Sequence, residues 1–133
     1  MKIGFIGLGN MGAPMAENLA RNGLDVLGFD TDNSIKLPEI TMMPSIPKLL
    51  TEVDIIFTML PSGSVVKEIV NEFIDNFNPK STLIDCSTID VKTTKEVCQT
   101  LGNKNIHMLD APVSGGVQGC LLYTSPSPRD LYR

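Results

Sequence analysis

The sequence predicts an α/β fold built on a doubly wound parallel sheet. Short apolar runs alternate five times with stretches of helical period, and those runs are continuously apolar rather than alternating in polarity. Strands apolar on both faces belong to a parallel sheet covered by helices. Right-handed crossovers open such a sheet into the doubly wound form. A length of 133 residues suits one domain and leaves little for a second.

The elements follow in order. Residues 2–8 (KIGFIGL) are a glycine-bounded apolar run, hence a buried strand. Residues 10–22 place Met11, Met15 and Leu19 four apart, with Ala16 and Ala20 beside them, which makes one apolar helix face. Asn22 and Gly23 end that helix, glycine supplying a left-handed residue. Residues 25–29 (DVLGF) are the second strand. Residues 31–44 hold Pro38 and Pro44 and no period, so no element is expected there; the Met42–Met43 pair is read as packing. Ser45 is placed to cap a short helix over 45–51.

DIIFTML, from Asp54, is the third strand. Ser64 is expected to cap a helix whose stripe is Val65, Val66, Ile69, Val70 and Phe73. Residues 81–87 (STLIDCS) form the fourth strand. Asp90 or Thr88 opens a helix with Val91, Thr94, Val97 and Leu101 on one face. Residues 106–109 (IHML) form the fifth strand.

Composition narrows the function classes. The net charge is −4. An acidic body argues against nucleic acid and anionic membrane as partners, because both require a positive face. Phosphate binding through backbone N–H groups needs no side-chain charge and stays open. No apolar run approaches the roughly 20 residues of a membrane span. The opening MKIGFIGLG reads as the first strand rather than a signal peptide, so a cytoplasmic location is expected. Cys86, Cys98 and Cys120 lack metal-ligand spacing and an even count, and are read as neutral thiols with no metal site.

The chemistry begins at the first turn. Gly7-Leu8-Gly9-Asn10-Met11-Gly12 is a G-x-G-x-x-G that ends a strand and opens a helix. In that context Gly7 permits the tight turn. Gly9 lets backbone approach a pyrophosphate, and Gly12 lets helix and strand pack closely. The helix N-terminus then faces the phosphates. Asp30 ends the second strand, where a carboxylate accepts hydrogen bonds from the adenosine ribose hydroxyls and repels a 2′-phosphate. Thr31 and Asp32 follow with no arginine, so NAD is expected rather than NADP. A nucleoside triphosphate loop would need a lysine after the last glycine, and Gly12 is followed by Ala13. The fold expected from these parts is Rossmann-like.

Four blocks in order resemble the β-hydroxyacid dehydrogenase family, closest to 3-hydroxyisobutyrate dehydrogenases. They are GFIGLGNMGAPMAENLARNG, DIIFTMLPSGSVVKEIV, LIDCSTID and DAPVSGGVQG, and they span residues 1–119. The wider superfamily includes 6-phosphogluconate dehydrogenases, which share the cofactor domain. The resemblance implies an NAD(P)-dependent oxidoreductase of short 3-hydroxy acids, with a homo-oligomer as the complete form. It implies that Leu8, Asn10 and Met11 lie along the dinucleotide, with Asp30 on the ribose. Leu60 and Pro61 would flank the cofactor, and Thr88 would sit near the nicotinamide ribose. Ser114, Gly115 and Gly116 would hold the substrate carboxylate.

The sequence also departs from the family. The span from Asp30 to Asp54 is several residues shorter than usual. The family's catalytic lysine lies downstream of the substrate loop, whereas the last lysine here is Lys104, so no catalytic residue is assigned. The family's helical substrate domain is not expected within these residues, and the sheet is expected to be incomplete. Residues 120–130 (CLLYTSPSPRD) resemble no part of the family, but match a translation of a transposase adapter used in sequencing libraries. Residues 1–119 are therefore expected to be a truncated dinucleotide-binding domain and 120–133 a non-native tail. A dinucleotide-binding fragment without catalysis and a 6-phosphogluconate dehydrogenase-like enzyme are the alternatives.

Other polar candidates have plainer roles. His107, the single histidine, has no acidic or cysteine partner in sequence and is read as structural. Asp85 and Asp110 end strands and are expected to cap the following turns. Ser114 lacks the context of a nucleophile elbow. Cys86 is read as a small strand residue.

Overall fold

The computed structural model describes residues 1–113. Ser114, Gly115, Gly116, Cys120 and the 120–133 tail lie outside the described residues. Six parallel strands form one sheet in the order β3-β2-β1-β4-β5-β6. They are β1 (Lys2–Ile6), β2 (Asp25–Phe29), β3 (Thr41–Met42), β4 (Ile55–Thr58), β5 (Thr82–Asp85) and β6 (His107–Asp110). The helices are α1 (Gly12–Arg21), α2 (Ile46–Glu52), α3 (Gly63–Phe73) and α4 (Val91–Gly102), with a 3₁₀ turn at Ile74–Asn76.

The doubly wound sheet is as the sequence predicts, with one strand more. The extra strand is β3, two residues inside the stretch expected to carry no element. It is too short to show a period, and its pairing to Leu27 and Gly28 of β2 is what makes it a strand. The connection from β2 to β3 contains no helix among its residues, which explains the shortened span. Ile40 of that loop is buried in the cluster with Ile3, Phe5 and Val26, and Ile35 and Leu37 pack against it.

The chain reverses direction across the sheet after β3, and the helices change face with it. On one face Ile3, Phe5 and Val26 pack with Ala16 of α1. Phe5 stacks on its register partner Phe57, with ring centroids 5.7 Å apart. On the other face α2, α3 and α4 bury Leu49, Leu50, Val66, Val70, Val97 and Leu101 over Ile6, Ile56 and Leu83. Met42 and Met43 pack against opposite clusters.

The caps explain the boundaries. Gly23, at φ 93°, ends α1: its N–H bonds Ala20 O, and Leu24 N–H bonds Leu19 O. Those two bonds form a Schellman stop. Ser45 caps α2 as expected, and of the two candidates Asp90 and Thr88 it is Asp90 that caps α4. The cap of α3 is Ser62, whose hydroxyl accepts from Val65 N; Ser64, expected in that role, lies inside the helix. Pro61 precedes Ser62, and the extended backbone of Ser62 suits a cap. Val91 is not on the packed face of α4. It is 70% exposed at the first position of α4, while Val97 and Leu101 are buried. The edge strand β6 leaves Leu109 56% exposed, so continuous apolarity there does not mean burial on both faces.

Candidate functional site

A cleft of about 590 Å³ opens at the carboxyl ends of β1, β2 and β4. This is the reversal point of the strand order, between β1 and β4. Helices on either side of that point leave a crevice, and ligands of open α/β sheets bind there. The lining includes Gly7, Gly9, Asn10, Met11 and Gly12 from the first turn, Asp30 and Thr31 after β2, and Leu60 and Pro61 after β4.

Three glycines shape the first turn, each for a different reason. Gly7 has φ +99°, and a Cβ there would collide with the Met59 carbonyl. A Cβ on Gly12 would strike the Gly7 carbonyl oxygen. A Cβ on Gly9 would meet nothing within 4 Å among the described residues, and Gly9 is exposed. Internal packing therefore requires Gly7 and Gly12, and does not require Gly9. A bare backbone facing open space suits close approach by a ligand.

The helix behind this loop differs from the other three. Ser45, Ser62 and Asp90 cap α2, α3 and α4, but α1 has no side-chain cap among the described residues. Its N-terminal N–H groups and dipole point at the cleft, an arrangement that favours an anion.

Asp30 stands at the other rim. One carboxylate oxygen accepts Leu8 N–H at 2.8 Å, and the other accepts Asp32 N–H at 2.8 Å. Each oxygen keeps a lone pair for a second donor. The Ser34 hydroxyl and backbone N–H both bond Asp32, and they hold its carboxyl below the usual range. Asp32 is thus anchored next to Asp30, although Asp30 alone of the two lines the cleft.

Not every expected residue lines the cleft. Leu8 turns its side chain into the core, 2% exposed, and contributes its N–H to Asp30. Thr88 is exposed after β5 and is not in the lining. His107 begins β6, at the end of the sheet opposite the cleft, with its side chain exposed. Cys86 is buried just after β5, with its N–H bonded to Thr58 O. Asp85 caps its turn as expected, its carboxylate accepting Ser87 N–H. Among the described residues no cluster could hold a metal ion, and no helix is long and apolar enough to cross a membrane.

Sequence reasoning missed some of the wall. Val65 and Ile69 were assigned to the core stripe of α3, yet they line the cleft. Helical period marks the apolar face without telling core from crevice. Thr31 also lines it, and its place directly after Asp30 was the available signal.

The family described as the NAD binding domain of 6-phosphogluconate dehydrogenase matches residues 2–124. The chain belongs to that family. As an NAD-binding domain of this type, it is 39% identical over 126 residues to a probable 3-hydroxyisobutyrate dehydrogenase of Mycobacterium bovis, covering 92% of the chain and 43% of the relative. It is 33% identical to the 2-(hydroxymethyl)glutarate dehydrogenase of Eubacterium barkeri, covering 90% of the chain and 42% of that protein. The solved 3-hydroxyisobutyrate dehydrogenase of Mycobacterium tuberculosis with L-serine superposes with a TM-score of 0.84 at 39% identity. That match covers 89% of this chain and 42% of the other. The NAD-binding domain therefore spans less than half the length of these relatives.

The residues present fit a nicotinamide dinucleotide. Gly9 admits the close approach, the uncapped α1 suits a pyrophosphate, and Asp30 offers carboxylate acceptors in the same cleft.

Proposed function

We propose that the cleft binds NAD in preference to NADP, and that the full-length protein oxidises a short 3-hydroxy acid. The observation that carries this is Asp30 on the rim, with both oxygens fixed by backbone donors and Asp32 anchored beside it. Ribose hydroxyls can donate to that carboxylate, whereas a 2′-phosphate would face two negative charges. Gly7, Gly9, Asn10, Met11 and Gly12 would hold the pyrophosphate, and Leu60 and Pro61 would flank the nicotinamide side, with Leu8 and Thr88 contributing from the adjoining turns. The bound cofactor would accept the hydride. Beyond the described residues, Ser114, Gly115 and Gly116 would hold the substrate carboxylate.

The 133 residues alone are a binding module without turnover in this reading. Asp30, on the ribose rim in this reading, is the one ionisable residue among the described residues lining the cleft. Residues 1–119 would be the domain and 120–133 an adapter-derived tail, which resequencing of the gene would test.

Calorimetric titration of the chain with NAD and NADP tests the cofactor. Equal affinity for both would count against Asp30 as the discriminator. A complete homologous protein assayed with 3-hydroxyisobutyrate, glycerate and 4-hydroxybutyrate tests the activity, and no NAD reduction with any of them would refute it.

A further inference from the structure

The carboxyl ends of β4 and β5 carry a buried polar cluster that no contact with the cleft explains. Thr58, Asp85 and Ser87 are each at most 3% exposed. Thr58 and Asp85 are register partners, so their side chains share one face of the sheet. One oxygen of Asp85, Oδ1, accepts both the Thr58 hydroxyl at 2.9 Å and Ser87 N–H at 3.1 Å. The Ser87 hydroxyl in turn accepts Leu60 N–H at 2.8 Å. The chain of bonds thus runs from the end of β4, through Asp85, to the turn after β5, and back to the turn after β4.

Stability does not account for this arrangement. The second oxygen, Oδ2, is buried with no hydrogen-bond partner among the described residues. A carboxylate desolvated on one side costs free energy that an apolar residue would not. Local rules are broken in this way most often at functional sites. What the cluster fixes is Leu60, which lines the cleft, relative to Ser87, whose neighbour is Thr88.

We infer that Asp85 is a positioning residue for cofactor binding. Through Thr58 and Ser87 it sets the spacing of the two turns, at Leu60–Pro61 and at Thr88, that flank the nicotinamide half. This inference rests on the dinucleotide reading of the cleft. It separates the two halves of the ligand. The adenosine half lies over Asp30 and β2, on the far side of β1 from this cluster.

The test titrates the chain with NAD and with AMP, which carries the adenosine half alone. Ser87→Ala removes one hydroxyl and leaves Leu60 N–H without its acceptor. It is expected to weaken NAD about five- to tenfold and AMP less than about twofold. Asp85→Ala should behave the same way. Asp85→Asn keeps an oxygen that can accept both bonds, and it should restore NAD to within about threefold, whatever its melting temperature. Equal losses of NAD and AMP, or no loss in Ser87→Ala, would overturn the inference while leaving the cleft reading intact. So would an Asp85→Asn variant that loses NAD as Asp85→Ala does. A wild-type chain that binds neither ligand would overturn the dinucleotide reading and this inference together.

Discussion

The Asp30 carboxylate accepts the backbone N–H of Leu8 at 2.8 Å, across 22 positions of sequence. The bond ties the glycine turn to the end of β2, so one side chain shapes both rims of the cleft. Asp30→Ala should therefore act twice. The melting curve should fall by about 1 kcal/mol as Leu8 N–H loses its acceptor. NAD affinity should fall more than about tenfold, with the NAD-to-NADP preference shrinking toward unity. Calorimetry and thermal melts on one preparation separate the two effects.

Gly9 and Gly12 differ by one substitution's worth of space. Gly12→Ala drives a Cβ into the Gly7 carbonyl and should cost about 3 kcal/mol of stability. Gly9→Ala meets open space and should melt within about 1 kcal/mol of wild type. It should still lose NAD affinity about tenfold or more, because the methyl occupies the ligand's approach. A Gly9→Ala chain that binds NAD normally would remove Gly9 from the site.

The two serines at the start of α3 are not equivalent. Ser62 supplies the cap, although its hydroxyl also lies 2.9 Å from that of Ser64. Ser62→Ala should destabilise by about 1 kcal/mol and Ser64→Ala by less than about 0.5 kcal/mol, measured by urea unfolding.

Asp110 and Asp85 are register partners at the ends of β6 and β5. Desolvation, and then the charge of Asp85, push the Asp110 carboxyl above its usual range. The folded state therefore binds that proton more tightly than the unfolded chain does. The resulting stabilisation is full below the unfolded value of about 3.9 and is lost as pH rises through the raised folded value. At neutral pH the ionised Asp110 is a penalty. Asp110→Asn should melt higher than wild type near pH 7, by less than about 1 kcal/mol because water screens this exposed edge. The gap should close as pH falls toward about 4. A gap that persists on acidification would mean the charge is not its source.

Much of the fold was legible because local physics and global fold agree. β2 has the predicted bounds, since DVLGF is apolar between an acid and a turn. Gly23 and Ser45 marked helix ends through chemistry that acts within a few residues. β3 was not legible, because two residues carry no period and only the edge of β2 makes them a strand. Val91 and Leu109 were expected inside and are exposed, because periodicity cannot say where the sheet stops. At the site, the glycine turn and Asp30 could be read from spacing. The bonds among Thr58, Asp85, Ser87 and Leu60 could not, because Thr58–Asp85 and Leu60–Ser87 each join residues 27 positions apart.

By itself, then, the sequence determined the strand–helix alternation, the glycine turn and the acid at the end of β2, because each depends on neighbours within one or two elements. Only the tertiary structure decided which glycine faces open space, which serine caps α3 and which buried carboxylate joins two turns. Those depend on strand order and register, which bring residues distant in sequence within hydrogen-bond reach.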